Sequence, residues 1–267
     1  MLKFEKYHGT GNDFIIVENY DGVTPSKLTQ KMCERHFGIG ADGLMCVESS
    51  EIADVKMGFY NADGSIAPMC GNGIRCFAKY VYDHKIVIKP QFSVETLAGI
   101  MKVDLDTDAH QNTYVTINMG APDFKNAFGV LNLVVDDISF KLSTLVIGTL
   151  HAIIFIEKLE TFDVEKYGKA IESHPLFPER INVNFVEVVN PQTIKVSTYE
   201  RGVGRTLSCG TGATASVIIA NQLGLTDPKV NVQVPGGQLT IDASEGCVFM
   251  TGPAVHICSG EYNYTGD

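Results

Sequence analysis

The chain has 267 residues, 45% of them hydrophobic and 19% charged, with a net charge of −10. This is globular composition, and scattered acidic charge argues against a nucleic-acid partner, whose phosphates need clustered cations. No run approaches about 18 uninterrupted apolar residues, and Met1-Leu2-Lys3-Phe4-Glu5-Lys6 lacks the apolar segment of a signal peptide, so a cytoplasmic protein without membrane contact is expected.

In chain order, short β-branched or aromatic runs predict strands at 14–17, 55–60, 115–119, 153–156, 183–189, 194–198, 230–234 and 248–250. Helices are predicted at 25–37, 73–83, 164–172 and 212–224, with Gly38-Ile39-Gly40 stopping the first and Gly224 the last. The domain reading is a half at 1–120, completed by a returning C-terminal segment at 253–267, and a second half at 144–252. Residues 121–143, which follow Gly120, form the connecting region.

Seven cysteines stand at 33, 46, 70, 76, 209, 247 and 258. An odd count in a chain of this length argues against a disulfide scaffold, and no spacing suits zinc. Asp104-Leu105-Asp106-Thr107-Asp108 opens like a calcium loop. It then carries Ala109 where the turn glycine belongs and Val115 where the bidentate glutamate belongs, so no metal is expected.

Two of the cysteines sit in matching contexts. Met69-Cys70-Gly71-Asn72-Gly73 and Ser208-Cys209-Gly210-Thr211-Gly212 lie 139 positions apart, each ahead of a helical run. At the same offset Gly9-Thr10 matches Gly148-Thr149, residues 14–18 match 153–157, and Tyr60-Asn61 matches Tyr199-Glu200. Near it, Gly99 matches Gly237. Shared order over several segments marks a duplicated domain, since a solenoid would need several short units.

A Gly-x-Gly turn opening a helix presents backbone N–H groups that suit a carboxylate. A cysteine just ahead of it shares the positive end of the helix, which favours its thiolate. Two such turns acting on one carboxylate would flank its α-carbon with two sulfurs, one taking the α-proton and the other delivering one, which inverts the centre. For Cys33, Cys46, Cys76, Cys247 and Cys258 the expected role is packing. Gly9-Thr10-Gly11 resembles half a dinucleotide fingerprint, but a strand follows it and the third glycine is missing.

The motifs His8-Gly-Thr-Gly-Asn12-Asp13-Phe14, Gly38-Ile-Gly-Ala-Asp42-Gly43, Asn61-Ala-Asp-Gly64, Met69-Cys70-Gly-Asn-Gly-Ile-Arg-Cys76, Arg180-Ile-Asn182-Val183 and Tyr199-Glu200-Arg201-Gly-Val-Gly204, leading to Cys209-Gly-Thr-Gly212, span nearly the whole chain. Together they resemble the diaminopimelate epimerase family. The resemblance implies an α/β (α+β) fold of two similar halves, each a curved, mostly antiparallel sheet around a central helix, with the active site in the cleft between them. It implies no pyridoxal phosphate or other cofactor, no metal, a homodimer, and inversion of one centre of LL-diaminopimelate to the meso form for lysine and cell-wall synthesis. It assigns Cys70 and Cys209 as the acid–base residues and Gly71, Asn72, Gly210 and Thr211 as holders of the reacting carboxylate. Glu200 would take the ammonium with His151 beside it, and Asn12, Asn61, Asn182 and Arg201 would hold the distal amino-acid head group. Without the motifs, Glu200-Arg201 would read as a solvated surface pair and His151 as a satisfied structural histidine.

The chain departs from the family pattern at three places. It has Gly148-Thr149-Leu150-His151 where Gly-Asn-Pro-His is usual. Arg205 follows Gly204 where an acidic residue is usual, and Gly43 stands where some members carry glutamine. The retained Arg201, Asn61 and Asn182 favour a substrate with a second amino-acid head. The alternatives are a racemase of the same fold acting on a single-centre amino acid such as histidine, and a binding protein or isomerase relative that needs no paired thiols.

Overall fold

A computed structural model describes residues 1–20, 22–136, 138–244 and 246–264; the last three residues of the expected returning segment lie outside the described residues. The chain divides into two compact units, Met1–Ile117 with Gly252–Asp267, and Asn118–Thr251.

The first unit runs β1 (Leu2–Gly9), β2 (Asn12–Val17), α1 (Pro25–Cys33), β3 (Gly43–Glu48), β4 (Val55–Asn61), α2 (Gly71–Asp83), β5 (Gln91–Thr96), β6 (Gly99–Thr107) and β7 (Thr113–Asn118). The β2–β3 and β4–β5 pairs are parallel, and α1 and α2 are their crossovers. The other neighbours, β1–β2, β3–β4, β5–β6 and β6–β7, are antiparallel. In β2, Phe14, Ile15, Ile16 and Val17 are all buried. A strand covered on both faces reads as a continuous apolar run. Ile15 and Val17 pack with Leu28, Met32 and Cys33 of α1, while α2 lies against β1, β2, β3 and β6. Contact with strands from both ends of the sheet means that the sheet curls around α2.

The second unit runs β8 (Val130–Val135), β9 (Ile138–Ile147), β10 (Thr149–Phe155), α3 (Val164–Glu172), β11 (Asn182–Asn190), β12 (Thr193–Glu200), β13 (Gly204–Arg205), α4 (Gly210–Gln222), β14 (Lys229–Val234), β15 (Gly237–Asp242) and β16 (Phe249–Pro253). The last strand, β17 (Val255–Tyr262), returns to the first unit and pairs antiparallel with β1.

The two units share one strand order. In the first it is β17-β1-β2-β3-β4-β5-β6-β7, in the second β8-β9-β10-β11-β12-β14-β15-β16, with the same sequence of parallel and antiparallel neighbours. The helices α1 and α3, and α2 and α4, start 139 positions apart. Residues 164–172, predicted helical, are α3 to the residue; its N-cap Asp163 accepts from the Lys166 N–H. Helix α4 is buried along nearly all its length against β9–β12, β14 and β15, as expected of a helix apolar on every side.

Two expectations need correction. Residues 121–143 do not form a connecting region: they hold β8 and the start of β9, a hairpin of the second unit. The segment Val130-Leu-Asn-Leu-Val-Val135 has no period-2 alternation, so its strand was hidden, although Leu133 and Val135 point into the core. Helix α1 ends at Cys33 rather than 37, because Glu34 turns its carboxylate back onto the N–H groups of His36 and Phe37. That is an alternative to helix for those amides.

Candidate active site

In the first unit Cys70 is the N-cap of α2, in extended backbone conformation at φ −133° and ψ 125°. The first intrahelical bond runs from the Ile74 N–H to the Cys70 carbonyl, at 2.9 Å. The amides of Gly71, Asn72 and Gly73 precede that bond and face the start of the helix. Gly73 permits the close turn: a Cβ there would lie 3.3 Å from Cys70 Cβ and 3.5 Å from both Met45 Sδ and the Phe14 ring. Cys70 Sγ lies 3.6 Å from Asn12 Oδ1, which also accepts from Asn72 Nδ2 at 3.3 Å. Behind the turn Arg75 is fully buried. It donates to the Gly71 carbonyl, Asn72 Oδ1, Thr10 Oγ1 and the Pro253 carbonyl at 3.0–3.3 Å. Burial alone pushes its pKa down, since the charged form loses its hydration. Asn61 ends β4 opposite Gly43, at the same end of the sheet as Asn12, and donates to Ser65 Oγ.

The second unit repeats the plan. Cys209 is the N-cap of α4 at φ −118° and ψ 108°, and the Ala213 N–H donates to its carbonyl. Its sulfur lies 3.4 Å from Thr211 Oγ1. His151, Asn182 and Glu200 lie at one end of the adjacent strands β10, β11 and β12, the end from which the chain runs on to Cys209. Glu200 Oε1 accepts from Thr206 Oγ1 at 2.6 Å. Arg201 is exposed, and one guanidinium nitrogen donates to the Glu179 carbonyl.

Two of the expected substrate contacts turn out to be occupied inside this unit. His151 is fully buried, and desolvation, with some help from the Arg201 charge, pushes its pKa down to about 3. The ring is therefore neutral at neutral pH. Its Nδ1 accepts from Asn184 Nδ2 at 3.2 Å, which leaves Nε2–H to donate to Thr149 Oγ1 at 3.1 Å. Asn182 donates both Nδ2 hydrogens, to Thr149 Oγ1 and the Leu150 carbonyl, while its Oδ1 accepts from the Arg201 N–H. Thr149 Oγ1 thus accepts twice, and its own hydroxyl proton remains to be donated outward from an exposed residue. Asn184, fully buried and bonded to Thr198 Oγ1 and the Ala152 carbonyl, was not foreseen. A second asparagine in the apolar run 182–186 was the available signal. Among the described residues no group of three or more His, Cys, Asp or Glu side chains is arranged to hold a metal, and no helix is long and apolar enough to cross a membrane.

The unit architecture is shared with solved structures at low identity. A phenazine biosynthesis protein of the PhzF family from Bacillus anthracis matches with a TM-score of 0.75 at 18% identity, covering 98% of this chain and 99% of that one. A probable proline racemase from Agrobacterium radiobacter matches with a TM-score of 0.74 at 14% identity, covering 99% and 94%. The fold is therefore the duplicated two-unit fold of these proteins.

Sequence comparison narrows the class. The diaminopimelate epimerase family model matches residues 4–125 and 143–257. Diaminopimelate epimerases of Alkaliphilus metalliredigens and Caldanaerobacter subterraneus are 47% and 44% identical to this chain, covering 98% and 97% of it and 97% and 99% of their own lengths. That of Clostridium perfringens is 44% identical, covering 98% and 99%. The chain belongs to the diaminopimelate epimerase family.

Proposed function

We propose that this chain is an isomerase that inverts one α-carbon of diaminopimelate, converting the LL to the meso isomer for lysine and cell-wall synthesis. The observation that carries the reading is the pair of cysteines, each the N-cap of a helix opened by Gly-x-Gly, in a chain that belongs to the diaminopimelate epimerase family. The reacting carboxylate would be held by the amides that open α2 and α4, where backbone N–H groups and the helix dipole favour an anion. One thiolate takes the α-hydrogen: the C–H bond breaks, an S–H bond forms, and the electron pair passes into the carboxylate. The opposite thiol then gives its proton to the other face of the carbon and becomes the thiolate. Fixed donors at the carboxylate stabilise the charge that develops. Glu200 is assigned to the substrate ammonium. Arg201 and Asn61 are assigned to the distal head, with Thr149 supplying a hydroxyl donor that His151 and Asn182 orient. A cytoplasmic homodimer completes the reading, to be checked by fractionation and sedimentation.

The test offers LL-diaminopimelate and L-histidine separately in deuterated water and follows α-deuterium by NMR. Deuterium entering diaminopimelate with loss of optical purity is expected. Either Cys70→Ala or Cys209→Ala should reduce it by about 10²–10⁴-fold, the range of general acid–base catalysis. Exchange into histidine alone would replace this reading with that of a single-centre racemase.

A further inference from the structure

The turn at Cys70 is connected to the protein surface by one continuous set of hydrogen bonds. Arg75 Nη1 donates to Asn72 Oδ1 at 3.0 Å, Asn72 Nδ2 donates to Asn12 Oδ1 at 3.3 Å, and Asn12 Nδ2 donates to Asp42 Oδ2 at 2.5 Å. Asp42 is held in turn by Arg35 Nη2 at 2.7 Å, by the Asp13 N–H, and by the return bond from its own N–H to Asp13 Oδ1. Asp13 is bound by Lys6 and Arg35. A guanidinium only donates and a carboxylate only accepts. With one at each end, both amides between them have a single orientation available. Asn12 must turn its NH₂ to Asp42 and its oxygen to Cys70 Sγ.

We propose that Asp42 is a positioning residue for the thiol chemistry: it fixes the Asn12 amide so that an acceptor oxygen, not an NH₂ donor, meets Cys70. An acceptor favours the protonated sulfur, since hydrogen bonding to one protonation state stabilises that state. The matching contact in the second unit is of another kind. Cys209 meets the Thr211 hydroxyl, which can accept from a thiol or donate to a thiolate. The two thiols are therefore inequivalent in the free protein, with Cys70 biased toward the proton donor. The inference rests on the reading of these cysteines as the acid–base pair.

Arg75 and Cys76 of α2 interact electrostatically with Cys70, and Asp13 of β2, paired to Lys6 of β1 and to Arg35 beyond α1, interacts with Cys76. All are retained when only Asp42 is changed, so the test is a difference measurement. Asp42→Asn removes the charge and keeps an oxygen that can accept from Asn12. Asp42→Ala removes the acceptor, so that only the 3.3 Å bond from Asn72 holds the Asn12 amide against rotation of its NH₂ toward the sulfur. Iodoacetamide labelling of the native proteins, with Cys70 and Cys209 quantified separately by mass spectrometry from about pH 6 to about pH 9, reads the thiolate of each. In Asp42→Ala the Cys70 profile should move acidward by about half a unit, which raises labelling at neutral pH about threefold. Asp42→Asn should stay near the unmodified protein, and Cys209 should not move in either. A Cys70 profile unmoved in Asp42→Ala, or moved equally by Asp42→Asn, would overturn the proposal. Asp42→Leu, also without an acceptor, gives the same reading if Asp42→Ala fails to fold. Labelling needs no turnover, so the result stands even if diaminopimelate is not the substrate.

Discussion

The two units carry the same backbone plan and different chemistry behind it. Position by position, 139 residues apart, Thr10 corresponds to Thr149, Asn12 to His151, Asn72 to Thr211, and Arg75 to Thr214. In the first unit Arg75 satisfies the Gly71 carbonyl; in the second the Thr214 hydroxyl does the same for Gly210, at 2.8 Å. The strand pairs facing the helix starts differ in the opposite sense. Met45 and Phe59 of the first unit are apolar, and their counterparts Asn184 and Thr198 are hydrogen-bonded to each other. One unit places a buried cation on a helix and surrounds it with neutral acceptors, including Thr10, a residue in the left-handed region at φ 51°. The other distributes neutral hydrogen bonds between helix and sheet. Duplication preserved the cysteine and its helix start, while the groups that orient and polarise each sulfur diverged.

The sharpest way to break this comparison is to exchange the supports. Arg75→Met removes the hydrogen bonds that Arg75 gives to the Gly71 and Pro253 carbonyls, Asn72 Oδ1 and Thr10 Oγ1, whereas Thr214→Val loses one hydrogen bond at near-constant volume. Urea unfolding should show a loss of about 3–5 kcal/mol for the first and about 1 kcal/mol for the second. Equal losses would mean that the cation is no more embedded than the hydroxyl.

Next come the matched glycines. A Cβ on Gly212 would meet Asn184 Oδ1 at 2.2 Å, while on Gly73 the nearest atom is 3.3 Å away. Gly212→Ala should therefore cost about 2–3 kcal/mol and Gly73→Ala about 1 kcal/mol, again by urea unfolding. The reverse order would contradict the polar packing of the second unit.

A pH-dependent effect separates Asn12 from His151. His151 has a folded pKa near 3 against an ordinary 6.5. Above 6.5 both states are neutral and the stability is fully present. As pH falls the unfolded chain takes up a proton that the folded one refuses, so stability drops by about 1.4 kcal/mol per pH unit toward the folded pKa. His151→Asn, which installs the counterpart residue, should flatten that acid limb of unfolding free energy against pH. An unchanged slope would mean the ring is protonated in the fold.

The mildest test concerns the other thiols of the first unit. Burial pushes Cys33, Cys46 and Cys76 up to about 12. Their thiolate fraction near pH 8 is about 10⁻⁴, so the folded protein should leave them unalkylated while exposed Cys258 is labelled.

Much of this was legible in the chain. The repeated Cys-Gly-x-Gly, the four helices and the long β-branched runs follow from local pattern, because glycine turns and apolar periodicity act over a few residues. Strands such as β1, β3 and β8 were not, since β3 is covered on both faces and β1 and β8 lack clean alternation. Asn182 and His151 were expected at the substrate; their hydrogen-bonding capacity is used within the fold, which no spacing can reveal. Asp42 stood inside a noted motif without a role, because its partners Asn12 and Arg35 come from separate elements.

By itself the sequence determined that the molecule is duplicated, that each copy sets a cysteine at a helix start, and which family it belongs to. Those are properties of residue order and local backbone preference. Only the tertiary structure decided what each sulfur meets: an amide oxygen locked by Arg75 and Asp42 on one side, a rotatable hydroxyl on the other. That decision depends on the direction of hydrogen bonds between strands and helices distant in the chain, and hydrogen-bond direction is fixed only when every donor and acceptor around it has been placed.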